Sequence, residues 1–240
     1  MPPDPRSGKT WHFSEGGHGT EMVKLICKAI EKAVKKGVDI ICMSWTLYES
    51  DDKGNSDSLE RLRKVLEVAV QDKILLYCAG QDRGDLEVSD RKAKPYPASC
   101  GIDRVKSIGA AGAFGRGAHY VNLKKVQYLF PGEITSELGT TTGSSAATAL
   151  ASGFAALVLW CAEVHQALRR KDPTIQHKDM DFREGNRMAH LFNEMKQNPG
   201  SPDASIVLFS QFFDEAQKTG SKAAETFAMK CKEKAIKEFA

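Results

Sequence analysis

Helical and strand-like periodicities alternate between Glu21 and Cys78, and no other feature of the 240 residues limits the fold as much. Over residues 21–36, Met22, Val23, Ile26, Cys27, Ile30, Ala33 and Val34 recur at three- and four-residue spacing, the pattern of an amphipathic helix, and Gly37 ends it. Residues 38–43 form a short β-branched run of strand length, followed by a polar loop through Ser56. Asp57 and Glu60 read as a capping box for a second helix, whose apolar face is Leu59, Leu62, Val65, Leu66 and Ala69. Residues 74–78 then read as a buried strand. Strand, helix, strand implies a crossover and a parallel sheet, because antiparallel neighbours need no helix between them. The expected class is therefore α/β. Residues 105–110 and 126–130 are further strand candidates, and 146–165 predicts an alanine-rich helix, apolar all round and so central.

A hydrophobic content of 41% supports a sizeable core, and the formal charge of +3 is small beside 34 basic and 31 acidic residues. No single-sign field points to nucleic acid or membrane as the partner. The six cysteines lack CxxC or CxxH spacing and most lie in apolar runs, which favours buried free thiols over disulfides. The residues from Met1 to Trp11 are Pro-rich and polar with no signal-peptide core, and no run reads as long enough to span a bilayer, so the expected location is cytoplasmic. Beyond Arg169 the breakers Lys171-Asp172-Pro173 and Asn198-Pro199-Gly200 separate expected helices. A last helix from about Ser221 aligns Phe227, Cys231, Ala235 and Phe239 on one stripe.

Two short blocks carry chemistry. Gly17-His18-Gly19-Thr20 opens the first helix. Such a run is commonly just a turn, but glycines on both sides can also leave an imidazole in a cleft with room for substrate, as a general base requires. Gly143-Ser144-Ser145-Ala146-Ala147-Thr148 opens the alanine-rich helix. A serine there commonly serves as an N-cap. The functional alternative is that the Ser145 oxygen attacks a peptide carbonyl, while backbone N–H groups and the positive helix end favour the developing oxyanion.

Together the blocks resemble the subtilisin-like (S8) serine peptidases, whose histidine block reads HGT and whose serine block reads G-T-S-x-A-x-P. Between them, residues 37–45 resemble the family's GVDIINMS strand, 74–84 its oxyanion-hole strand and loop, and Tyr96-Pro97-Ala98 with Ile108-Gly109-Ala110 its YPA…VGA. The phrasing is most similar to fungal intracellular-type members. The resemblance implies a parallel sheet with flanking helices, a polypeptide substrate, proteolysis through an acyl-enzyme, and no cofactor. It makes His18 the base and Ser145 the nucleophile, and it places Ser44, Trp45, Thr46 and Gly80 along the substrate. Asp82 falls at the oxyanion-hole position, with Gln81 offered by a one-residue shift. Calcium sites are common in the family, but no acidic cluster maps onto one, so no metal is expected.

The sequence also departs from the family pattern. The resemblance implies a triad aspartate roughly thirty residues before the histidine, yet only Asp4 and Glu15 are acidic before His18 and neither lies in a D-[ST]-G turn. A loop and a strand expected after Cys27 are also lacking, as two helices run together. Ala149 stands for the usual proline after the serine, and Thr46 for a glycine of the substrate-pairing strand. The expectation is a truncated subtilisin-like domain over 11–168 with its first strands missing. A flexible tail over 1–10 precedes it, and a helical C-terminal extension over 169–240 follows. Without the triad aspartate it would be weak or inactive, and its open sheet edge would favour self-association. The alternatives are a pseudopeptidase or interaction module, or a fragment of a longer gene product.

Overall fold

A computed structural model describes residues 18–48, 53–82, 94–112, 115–137, 139–171, 181–184, 186–197 and 204–208, with 226, 229 and 230. The expected tail over 1–10 lies outside these residues. So does most of the expected last helix, of which Thr226, Met229 and Lys230 are helical.

Helix α1 (His18–Lys35) is followed by strand β1 (Ile40–Met43), the short strand β2 (Leu47–Tyr48) and helix α2 (Lys53–Gln71). Then come β3 (Leu75–Ala79), β4 (Pro95–Tyr96), β5 (Val105–Ala111), β6 (Tyr128–Pro131), the hairpin β7 (Glu133–Ser136) and β8 (Gly139–Thr142), and helices α3 (Ser144–Lys171) and α4 (Arg187–Glu194). The main sheet has the order β1-β3-β5-β6, and every pair in it is parallel. The α/β reading holds, with helices on both faces.

Alternation along β3 shows how the two faces are used. Leu76 and Cys78 join the core beneath α1 and α2, where Val23, Cys27, Ile30, Leu59, Leu62 and Leu66 are buried. Leu75 and Tyr77 point the other way, into the core beneath α3 and α4. There Phe192 stacks on Tyr77, meets Tyr128 edge-on and tilts against Phe130 and Phe154, at centroid distances of 5.3–5.9 Å.

Several expectations need correction. Helix α2 begins at Lys53, so Asp57 and Glu60 lie inside it and do not form its cap. Its first turn is polar and carries no apolar mark by which periodicity could find it. Helix α3 is not enclosed all round: Ala149, Gly153, Ala156 and Glu163 are exposed, and Trp160 is 55% exposed. Its segment Ser144–Leu168 is long and apolar enough to cross a membrane by length and composition, contrary to the expectation that no run is. Most of that segment is nevertheless buried within the protein. Cys27, Cys78, Cys100 and Cys161 are buried free thiols as expected, whereas Cys42 is exposed on β1.

The segment beyond Arg169 supplies a helix, α4, and docks it on the same core: Phe182, Met188, Leu191 and Phe192 are all at most 2% exposed. Residues 204–208 then run along the free side of β6, where the Leu129 N–H donates to Ser205 O (3.2 Å) and the Val207 N–H to Leu129 O (3.0 Å). At the amino ends of the strands, Arg183 pairs with Asp39 (2.6 Å) and Lys73 with Glu184 (2.9 Å), tying this segment to the residues just before β1 and β3.

Candidate active site

In parallel α/β sheets, ligands bind outside the carboxyl ends of the strands. Several of the residues singled out from the sequence lie there. Ser44 follows β1, Gln81 and Asp82 follow β3, and the serine block opens α3 after the β7–β8 hairpin returns the chain to the sheet.

Gly143 sits at φ 116°, a left-handed conformation that favours glycine, and its N–H donates to Gly132 O at 2.8 Å. A Cβ at this position would lie 2.9 Å from Asp82 Oδ2 and 3.8 Å from Ser145 Oγ, so glycine leaves room for both side chains. Ser144, the first residue of α3, is fully buried. Its hydroxyl accepts the Ala110 N–H (3.1 Å) and donates to Asp82 Oδ1 (2.5 Å), while its own N–H donates to Asp82 Oδ2 (2.8 Å). One turn on, Thr148 Oγ1 donates to Ser144 O (2.6 Å).

Ser145 is half-buried, at the edge of this polar cluster. Its carbonyl accepts the Ser44 hydroxyl at 3.2 Å, and Ser44 Oγ lies 3.3 Å from the Cys42 sulfur. Strand β1 and helix α3 are thereby joined at the site. Burial first, and then the charges of Asp82 and Glu133, raise the Tyr120 phenol above its ordinary value.

Trp45 is half-buried and packs on the core beneath α1 and α2. Thr46 is half-buried beside it. Gly80 is buried, gives its N–H to Ile108 O (2.7 Å), and has no room for a Cβ, which would meet Val126 Cγ1 at 2.4 Å. His18 is the first residue of α1; its side chain lies outside the described residues. Among the described residues no three His, Cys, Asp or Glu side chains converge where a metal could sit. Sequence reasoning passed over Ser144 and Ala110. Ser144 differs in no local way from Ser145, and only the fold brings Ala110 to it.

The subtilase family profile matches residues 13–166, from before α1 to near the end of α3. The chain belongs to the subtilase family. Solved proteases share its fold. It is similar to a lanthipeptide protease (TM-score 0.57, 18% identity, 75% of this chain and 60% of that one). It is also similar to the prenylagaramide maturation protease PagA (TM-score 0.51, 25% identity, 74% and 59%). A third likeness is to the epidermin leader peptide processing serine protease EpiP from Staphylococcus aureus (TM-score 0.55, 17% identity, 78% and 53%). The chain thus spans between about half and 60% of the length of these proteases. No curated protein matches it.

Proposed function

We propose that this subtilase chain carries the nucleophile and base of a serine endopeptidase. The Ser145 oxygen attacks a peptide carbonyl, His18 takes its proton and returns it to the leaving amine, and water then hydrolyses the acyl-enzyme. The observation that carries this reading is the setting of Ser145. It is half-buried at the first turn of a 28-residue helix, at the carboxyl ends of parallel strands and in a chain of this family. The helix end and its backbone N–H groups favour negative charge on the tetrahedral intermediate. An extended polypeptide would lie along residues 44–46.

The sequence holds no acidic residue in a D-[ST]-G turn before His18. In Ser-His-Asp enzymes, losing the aspartate costs about 10⁴ in turnover, and a residual 10³–10⁴ over water survives from binding and the oxyanion hole. We therefore expect feeble turnover from these 240 residues alone. A second reading is that the cleft binds polypeptide without cleaving it.

A fluorophosphonate probe separates the two. Slow labelling that disappears in Ser145→Ala supports the peptidase reading. No serine-dependent adduct after long exposure of folded protein, with peptide binding intact, would leave the pseudopeptidase.

A further inference from the structure

We infer that Asp82 is a positioning residue: its carboxylate clamps the first turn of α3 and so holds Ser145 in register with the sheet. It does not serve as a donor to an oxyanion. The catalytic meaning of the clamp rests on the Ser145 reading above; the clamp itself does not.

The first N–H groups of any helix have no partner within it, and a side chain just before the helix usually supplies one. Here the preceding residue is Gly143, which has no side chain to offer. The acceptor comes from Asp82, 62 positions earlier in sequence, in the segment that follows β3. Asp82 Oδ2 takes the Ser144 N–H at 2.8 Å and Oδ1 takes the Ser144 hydroxyl at 2.5 Å. With Oδ1 holding the Ser144 hydroxyl and Oδ2 the Ser144 N–H, both oxygens are engaged within the clamp and the orientation of the carboxyl group is fixed. The Ser144 hydroxyl is occupied in both senses, because it also accepts the Ala110 N–H from β5 at 3.1 Å. One buried hydroxyl therefore joins the end of β3, the end of β5 and the start of α3.

Ser145 is the next residue, and its backbone can tilt only as far as Ser144 allows. On the other side its carbonyl is held by Ser44. Charge adds to the clamp, since a carboxylate at a helix amino end interacts favourably with the helix dipole.

The test compares Asp82→Ala with Asp82→Asn in the full chain, reading amide exchange at Ser144 and Ser145 by NMR and the fluorophosphonate rate of the folded protein. Alanine removes both contacts: the Ser144 and Ser145 amides should lose protection, and labelling should fall about 10²-fold, as for a nucleophile displaced by about 1 Å. Asparagine keeps a carbonyl for the N–H and an amide that can donate to the hydroxyl. It should retain most of the amide protection and label about tenfold faster than alanine. If alanine does not fold, Ser144→Ala removes the hydroxyl arm alone and keeps the N–H arm; the labelling rate should then fall part of the way, and an unchanged rate overturns the positioning role.

Unchanged protection of the Ser144 amide in Asp82→Ala overturns the clamp. Lost protection with an unchanged labelling rate overturns the positioning role. Labelling absent from every variant, wild type included, sinks the Ser145 reading and the catalytic half of this one, while amide exchange still decides the clamp.

Discussion

The two edges of the main sheet are built from similar strands and treated in opposite ways. At the β6 edge, residues 204–208 take up the backbone groups of Leu129, and the aromatic ring of Phe192 covers the face beside them. At the β1 edge, among the described residues, no strand lies on the far side. Ile40 and Ile41 stay half-buried and Cys42 is exposed. Strand β1 also lacks the usual guards of an open edge: it contains no lysine, proline or charge. The difference teaches that the C-terminal segment acts as part of the sheet's own closure, whereas among the described residues β1 carries no such cover.

Thiol chemistry should give the largest contrast. Cys42 and Cys78 occupy paired strands one register position apart, Cys42 opposite Tyr77 and Cys78 opposite Met43. Burial pushes the Cys78 thiol well up, and it pushes Cys161 to about 11. Alkylation mapped by mass spectrometry should therefore modify Cys42 about 10³-fold faster or more, since Cys78 reacts only through opening of the sheet. Comparable rates would show that β1 is shielded.

Stability should follow the same division. Phe192→Ala removes a fully buried ring with four aromatic neighbours and should cost about 3–5 kcal/mol in urea unfolding. Leu129→Ala on β6 should cost about 2–5 kcal/mol, and the half-buried Ile41→Ala about 1 kcal/mol. Equal costs at Leu129 and Ile41 would break the comparison. We also expect copies of the chain to associate through β1 at high concentration. Sedimentation that becomes independent of concentration in Ile41→Lys would bear this out, and association unchanged in that variant would move the contact elsewhere.

The smallest effect belongs to the ion pairs that fasten the C-terminal segment. Arg183 and Asp39 are more than a third exposed, so Arg183→Ala should cost only about 0–1 kcal/mol. Burial alone would raise the Asp181 carboxyl, but hydrogen bonds from the Arg183 side chain and backbone hold it below its ordinary value. A depressed carboxylate adds stability above its unfolded value, about 4, and that stability is lost as pH falls through the folded value. Acid titration should thus show a slight loss in wild type that is smaller in Arg183→Ala.

Much of this division was legible in the sequence, though unevenly. Strands β1, β3, β5 and β6 and helices α1 and α3 fall within a few residues of their expected places, because buried strands and helices declare themselves by apolar spacing. Strands β2 and β4 have two residues each, too few for a period. The β7–β8 hairpin has an exposed, threonine-rich return strand with no core face to reveal it. Phe182 and Phe192 were visible as apolar residues beyond Arg169, but linear spacing does not say which surface a helix docks on. At the site, the order of the blocks drew attention to His18, Asp82 and Ser145. The bond between Asp82 and Ser144 was hidden, since it joins positions 62 apart through the fold alone.

Helix α3 poses a problem of timing. Its first 25 residues, Ser144–Leu168, are apolar enough to be taken for a membrane span, and their protection is the sheet they lie on. A ribosome delivers β1, β3, β5 and β6 before it delivers this helix, so the platform has been synthesised by the time the greasy segment emerges. The remaining cover, α4 and residues 204–208, comes last. A nascent chain stalled between the two would hold its most insoluble element half dressed, and a chaperone that recognises exposed apolar helices would meet it there.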